Sequence, residues 1–534
     1  MPGRTKLVLF IILLIVTDLQ AQSSKARLRP LHDTSSFGRD IENYYKLLQL
    51  PALAVGVALG DSLIFFRGMG AANALTKEPV TADHIFPIAS VTKTFTAVAL
   101  KQMEGEGKLS LEDPVSKFPN QYFTPDRWSQ RTTLGQLLSN TAESSPPGTR
   151  FIYNGSKFNI VFNAFAAINK TRVPNDIARP FTEEIQGRIL TPLKMEHTLL
   201  RFSESEHGYL RKWFAQIYRL DNTEGRFIPV DFNPVILQSG PGFGMMSSVN
   251  DLVRYSSALS RDKLLTALQY RQLTSPFYPG SPYGAGWFTA SFEGTEMHWA
   301  YGYGDNDAAL LLRVPSKDLT LIMLSPCSLP SAATRLGYGN PFNAMLVCSF
   351  FRNYVQTELP NSRLPVEEKF ARATTLAFLP ASFHPDSFAV ENLLQGMMKE
   401  FPSDTIWQTP TAFELVSASG NPQILEFGLQ MAEEYARSGA LHPVKAWYAG
   451  LIYQKNGKPE KAAACFERLA RGDAYREQSY KFNAMMALAK WYRDTDAQRC
   501  REVLEALIRF KGYINANDQQ YKEAKEMLEG AKSQ

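Results

Sequence analysis

Strand-forming segments fall in two clusters, one before residue 70 and one after residue 280, with a helical and loop-rich stretch between them. Leu53–Ala58 and Leu63–Arg67 flank Gly60-Asp61 and read as a β-hairpin. Gly284–Phe292, Glu296–Gly302, Ala308–Val314 and Leu319–Leu324 read as antiparallel strands with short connections. Such a chain is expected to assemble one sheet from both ends of a domain, with helices covering its faces. That is an α+β fold.

The 534 residues leave room for more than this one domain. Residues 355–385 are rich in proline and charge and are expected to form a linker. From 386 to 534 the pattern is helical. Gly450, Tyr453, Ala462 and Phe466 match the small-residue and aromatic spacing of a tetratricopeptide unit, with Gly457-Lys458-Pro459 as its turn. A looser unit runs from Ala487 to Leu504. This tail is expected to bind a protein partner or to cover a cleft.

Residues 1–21 have the layout of a secretory signal: Arg4 and Lys6, the apolar run Leu7–Val16, then Leu19-Gln20-Ala21. The run is short for a bilayer span, so the expectation is cleavage near Ala21 and a secreted or periplasmic protein with no stable membrane span. The net charge of +5 is spread along the chain without a basic block, which argues against nucleic acid as a partner. Cys327, Cys348, Cys465 and Cys500 form no C-x-x-C pair. Buried thiols, or pairs Cys327–Cys348 and Cys465–Cys500, both fit. The seven histidines make no metal-ligand cluster, and no cofactor is expected.

The chemistry centres on Ser90-Val91-Thr92-Lys93, which follows the apolar Ile85-Phe86-Pro87-Ile88-Ala89 and opens a helix through Met103. Serine and lysine at i and i+3 share a helix face, placing an amine beside a hydroxyl. That pairing activates a serine without histidine. The spacing alone is weak, as Ser260-Arg261-Asp262-Lys263 repeats it among surface charges. A second element, Pro147 to Ser156, brings Tyr153 after a proline-glycine turn; a tyrosine there can relay a proton.

Several stretches occur in a collinear order. They include Phe86 to Lys93, Leu109 to Val115, Leu134 to Thr141, Pro147 to Tyr153, Gly242 to Ser248 and Leu310 to Pro315. With these the chain resembles the serine beta-lactamase and penicillin-binding superfamily over roughly residues 40–350. It lies on the side of class C beta-lactamases, D-alanyl-D-alanine carboxypeptidases and related esterases. The resemblance implies a hydrolase domain over 22–354, with Ser90 as the acylated nucleophile, Lys93 as its proton acceptor and Tyr153 as the second-motif tyrosine. It also implies an oxyanion hole from the N–H groups of Ser90 and Tyr303, with Gly302 allowing close backbone approach.

Two departures stand out. The family's Y-x-N reads Tyr153-Asn154-Gly155 here, leaving Asn154 or Ser156 to replace the asparagine. The third motif falls on Ala300-Tyr301-Gly302, so Ala300 takes the place of the usual cation. His298 lies two residues earlier on the same strand face. The resulting expectation is a secreted serine hydrolase acting on an amide or ester, such as a D-amino-acid peptide or a small ester. The alternative is a catalytically impaired relative that serves as a binding module through its tail. A true beta-lactamase is the third reading.

Overall fold

The computed structural model describes residues 34–119, 129–144, 146–169, 178–231, 239–356, 362–383, 387–439, 441–471, 478–509 and 518–532. The signal-like residues 1–21 lie outside them. Among the described residues the strands, in chain order, are β1 (Ala52–Leu59), β2 (Ser62–Gly70), β3 (Phe86–Ala89), β4 (Tyr218–Asp221), β5 (Arg226–Pro229), β6 (Met245–Ser247), β7 (Phe288–Phe292), β8 (Thr295–Tyr303), β9 (Ala308–Val314) and β10 (Leu319–Ser325).

The expected hairpin forms from β1 and β2, turning at Gly60, whose φ of 61° suits glycine. Six strands make one antiparallel sheet in the order β2-β1-β10-β9-β8-β7. The two sequence-distant clusters meet where β1 pairs with β10, Ala54 opposite Leu324. β7 begins at Phe288, later than expected, because Gly284 and Gly286 form a turn in which Gly286 has φ 79°.

Side chains alternate between two apolar layers, as the pleat requires. Ala54, Ala58, Ala309 and Leu311 face a layer containing Phe95, Val98 and Leu252, from the helices Thr92–Gly105 and Val249–Ser260. Leu53, Val55, Leu310 and Leu312 face a second layer with Phe37, Ile41, Val347 and Phe350, from the helices Thr34–Leu47 and Met345–Phe350. The α+β class expected from the pattern is the observed one.

Within 355–385, expected as a linker, Leu364–Ala377 is a helix. Pro365 stands in its first turn, where the missing N–H costs nothing. Leu364 and Ala371 belong to the sheet's second layer, while Val366 and Phe370 belong to the core of the tail, so the helix fastens the two together.

The tail is helical as expected. Pro443–Lys455 and Pro459–Ala470 form the unit read from sequence, and a β-carbon on Gly450 would lie 2.2 Å from the Phe466 ring, so only glycine fits there. Gly457 makes the turn at φ 66°. The four cysteines are buried and unbonded to one another.

Candidate active site

Ser90 sits where β3 turns into the helix Thr92–Gly105. Ala89 adopts φ 39°, a left-handed conformation that costs an alanine about 1 kcal/mol and aims the next residue out of the strand. Thr92 steadies this turn by donating to the Ala89 carbonyl at 2.6 Å while accepting from the Met245 N–H at 3.2 Å.

Lys93 is 1% exposed. Its Nζ donates to Ser90 Oγ at 3.0 Å and to the Gly242 carbonyl at 2.7 Å. The same nitrogen lies 5.0 Å from the centre of the Tyr153 ring and 5.2 Å from that of Phe158. Serine, lysine and second-motif tyrosine, picked from separate stretches of sequence, are therefore together in space.

Gly242 carries no side chain by which sequence could mark it for a role. Its loop is docked twice: Thr96 donates to the Pro241 carbonyl at 2.7 Å, and the Gly242 N–H donates to Asn159 Oδ1 at 2.7 Å. The glycine-rich run Gly240 to Gly244 was the available signal, since a β-carbon at 242 would fall 2.9 Å from the Gly155 carbonyl.

Asn154 does not replace the family's asparagine. Its Oδ1 caps the short helix Gly155–Phe158, accepting from the N–H groups of Ser156 and Lys157 at 2.9 and 3.0 Å, and its Nδ2 donates to Glu143 at 2.7 Å. Its oxygen is committed to the cap and one of its two amide hydrogens to Glu143. Ser156 is exposed. Gly155 is the residue beside the lysine, where a β-carbon would stand 3.7 Å from Lys93 Nζ. Burial pushes the Glu143 carboxyl up to about 7, against the pull of Asn154 and Lys157.

Tyr153 is set in an aromatic cluster. Its ring lies 6.1 Å from Phe288 and 6.2 Å from both Tyr283 and Tyr301. Gly302 brings β8 against β3, for a β-carbon there would be 2.4 Å from the Ile88 carbonyl oxygen. Ser331 holds the Gly302 carbonyl at 2.7 Å. Tyr303, next along, is 54% exposed.

The third motif departs from expectation in a second way. Ala300 is buried in the apolar layer that includes Ile88 and Ala97. His298 is committed elsewhere: Nδ1 pairs with the Tyr270 hydroxyl and Nε2 with Glu296, each at 3.0 Å, and burial holds its pKa below the usual histidine value. No contact among the described residues brings it to Ser90, Lys93 or Tyr153. It sits at the other end of the face, opposite Arg313.

Residues 37–337 match the family described as Beta-lactamase. The chain belongs to that family. Among relatives, it is 23% identical over 322 residues to Protein flp of Staphylococcus aureus (strain MW2), spanning 53% of this chain and 61% of that protein. It is 27% identical over 232 residues to a Beta-lactamase of Escherichia coli (strain K12), spanning 39% of this chain and 56% of the other. The chain thus spans under two thirds of the length of either relative. In fold it is similar to the octameric penicillin-binding protein homologue from Pyrococcus abyssi, with a TM-score of 0.52 and 20% identity over 63% of this chain and 80% of that one. The family match ends at 337, before the helical tail. No described helix is long and apolar enough to cross a membrane.

Proposed function

We propose that this Beta-lactamase family member is a secreted serine hydrolase working through an acyl-enzyme. The observation that carries the reading is the 3.0 Å hydrogen bond between Lys93 Nζ and Ser90 Oγ. Ser90 Oγ attacks a substrate carbonyl carbon and its proton passes to Lys93. From neutral Lys93 that proton is relayed through Tyr153 to the departing nitrogen or oxygen; water then attacks the acyl carbon, and its proton returns by the same groups to Ser90 Oγ as the ester bond breaks. The N–H groups of Ser90 and Tyr303 are the expected donors to the oxyanion. With Ala300 buried, the family's usual cation is absent, which favours amides or esters that do not depend on it over penicillins. D-amino-acid peptides and small esters are the substrate classes in view.

The test is intact mass after incubation with a fluorophosphonate. One adduct on the wild type and none on Ser90→Ala is the expected result. No adduct on the wild type, or one that survives Ser90→Ala, overturns the mechanism. The lack of a side chain at Gly155 and the burial of Ala300 favour, in that event, a binding module on the same scaffold.

A further inference from the structure

A cavity of about 670 Å³ is lined by Tyr153, whose ring centre lies 5.0 Å from Lys93 Nζ; Ser90 and Lys93 are not among its lining residues. Its volume suits a ligand of moderate size. One wall comes from the family domain and the other from the helical tail, which contributes Leu441, His442, Pro443, Val444 and Tyr480. Six tyrosines line it: Tyr153, Tyr278, Tyr301, Tyr303, Tyr338 and Tyr480. Such walls accept an apolar or aromatic body while offering hydroxyls to polar atoms.

The charges of this cavity do not balance. Arg335 and Glu414 both line it, but they neutralise each other, with guanidinium-to-carboxylate distances of 3.1–3.3 Å. Burial pulls the His442 pKa down to about 4, so its ring is neutral near pH 7. Arg150 remains. It is half-buried in the cavity wall and makes no ion pair among the described residues; its Nε is sealed off without a hydrogen-bond partner, which leaves the Nη groups to meet a ligand. A guanidinium in that condition is suited to an anion, above all a planar carboxylate.

We propose that this cavity binds an amide or ester substrate with an apolar body and one anionic group, the anion held by Arg150 and the body packed between the tyrosines and the helical tail. As a substrate pocket it rests on the serine-hydrolase reading; as a binding site it does not. Arg150 lies three residues before Tyr153 in sequence, so the anion is gripped from the second motif rather than from the strand where Ala300 stands.

The test is calorimetric titration of the full chain carrying Ser90→Ala with N-(4-phenylbutanoyl)glycine and with its glycinamide, a near-isosteric pair in which a neutral carboxamide replaces the carboxylate. The acid is expected to bind about tenfold more tightly than the amide, the worth of one charge-assisted bond. Adding Arg150→Gln brings the acid to the amide's affinity and leaves the amide unchanged, while Arg150→Lys keeps part of the difference. Leu441→Glu sets a rival carboxylate in the tail's wall and removes the acid's advantage without touching Arg150, which serves if Arg150→Gln does not fold. Equal affinities in the parent, or an advantage that survives both Arg150→Gln and Leu441→Glu, overturn the proposal. Charge preference without fluorophosphonate labelling of the wild type leaves the anion site standing and sinks the hydrolase reading. Labelling without charge preference does the reverse.

Discussion

The Nζ of Lys93 lies 2.7 Å from the carbonyl oxygen of Gly242, and Asn159 holds that glycine by its N–H. A backbone oxygen thus occupies one of the lysine's bonding directions, in a protein where glycine has replaced the side chain beside it at 155. The lysine's orientation toward Ser90 depends on how firmly the loop is held.

Asn159→Ala is therefore expected to slow fluorophosphonate labelling of Ser90 by about tenfold, the worth of one lost hydrogen bond. Asn159→Asp keeps an acceptor oxygen and retains most of the rate. Labelling time courses followed by intact mass decide it; equal rates in Asn159→Ala and wild type would show that the loop needs no tether.

Gly302→Ala tests the approach of β8 to β3. The added carbon meets the Ile88 carbonyl oxygen at 2.4 Å, and neither backbone can yield without moving β3 away from β8. A loss of about 2 kcal/mol in stability is expected, with little remaining labelling at Ser90. Urea unfolding monitored by tryptophan fluorescence gives the first quantity. An unchanged midpoint would mean that the strands separate freely.

The Glu143 carboxyl gives stability a pH dependence. Its pKa is raised to about 7 in the folded protein, chiefly by burial. Glu367 is likewise raised to about 7 by burial. A carboxyl whose folded value is raised contributes fully below its unfolded value, and that contribution is lost as pH climbs toward the folded one. The melting temperature is expected to fall between about pH 5 and about pH 7 for this reason, and Glu143→Gln flattens part of that fall. Parallel melting profiles for variant and wild type would remove Glu143 as a contributor.

Glu414 joins the tail to the family domain, accepting from Arg335 and from the Tyr338 hydroxyl at 3.0 Å. Glu414→Ala strands the half-buried Arg335, at a cost of about 2 kcal/mol. Hydrogen exchange in the helix Pro410–Ala418 should rise accordingly. Protection equal to wild type would show that Asn343 and Thr411, bonded at 2.9 Å, suffice to hold the tail.

Much of this architecture was readable from residue order. The hairpin announced itself through Gly60-Asp61, and Ser90 with Lys93 through helical spacing. The same clarity did not extend to groups that act through the backbone: the Gly242 carbonyl has no side chain to read. Asn154 misled because its neighbours in sequence suggest a ligand-facing amide, whereas the start of a helix claimed it as a cap. Pro360 and Pro365 suggested a linker, yet proline in a helix's first turn is compatible with the buried helix that follows. His298 shares the strand face of Ala300, as alternation along a strand requires, but that face is long, and its far end belongs to Tyr270 and Glu296.

The pairing of β1 with β10 also governs how the molecule can be made. The Ser325 hydroxyl donates to the Ala52 carbonyl across 273 positions of chain, and both strands at that junction are interior to the sheet. Loop closure over such a span must precede any completed core, which makes folding slow and late. A ribosome that has released Ser90 and Lys93 has not yet supplied the strands that bury their helix. The Ser90–Lys93 pair is thus assembled only near the end of the domain's synthesis, and a chain truncated before β10 is expected to leave the apolar face of β1 open to aggregation.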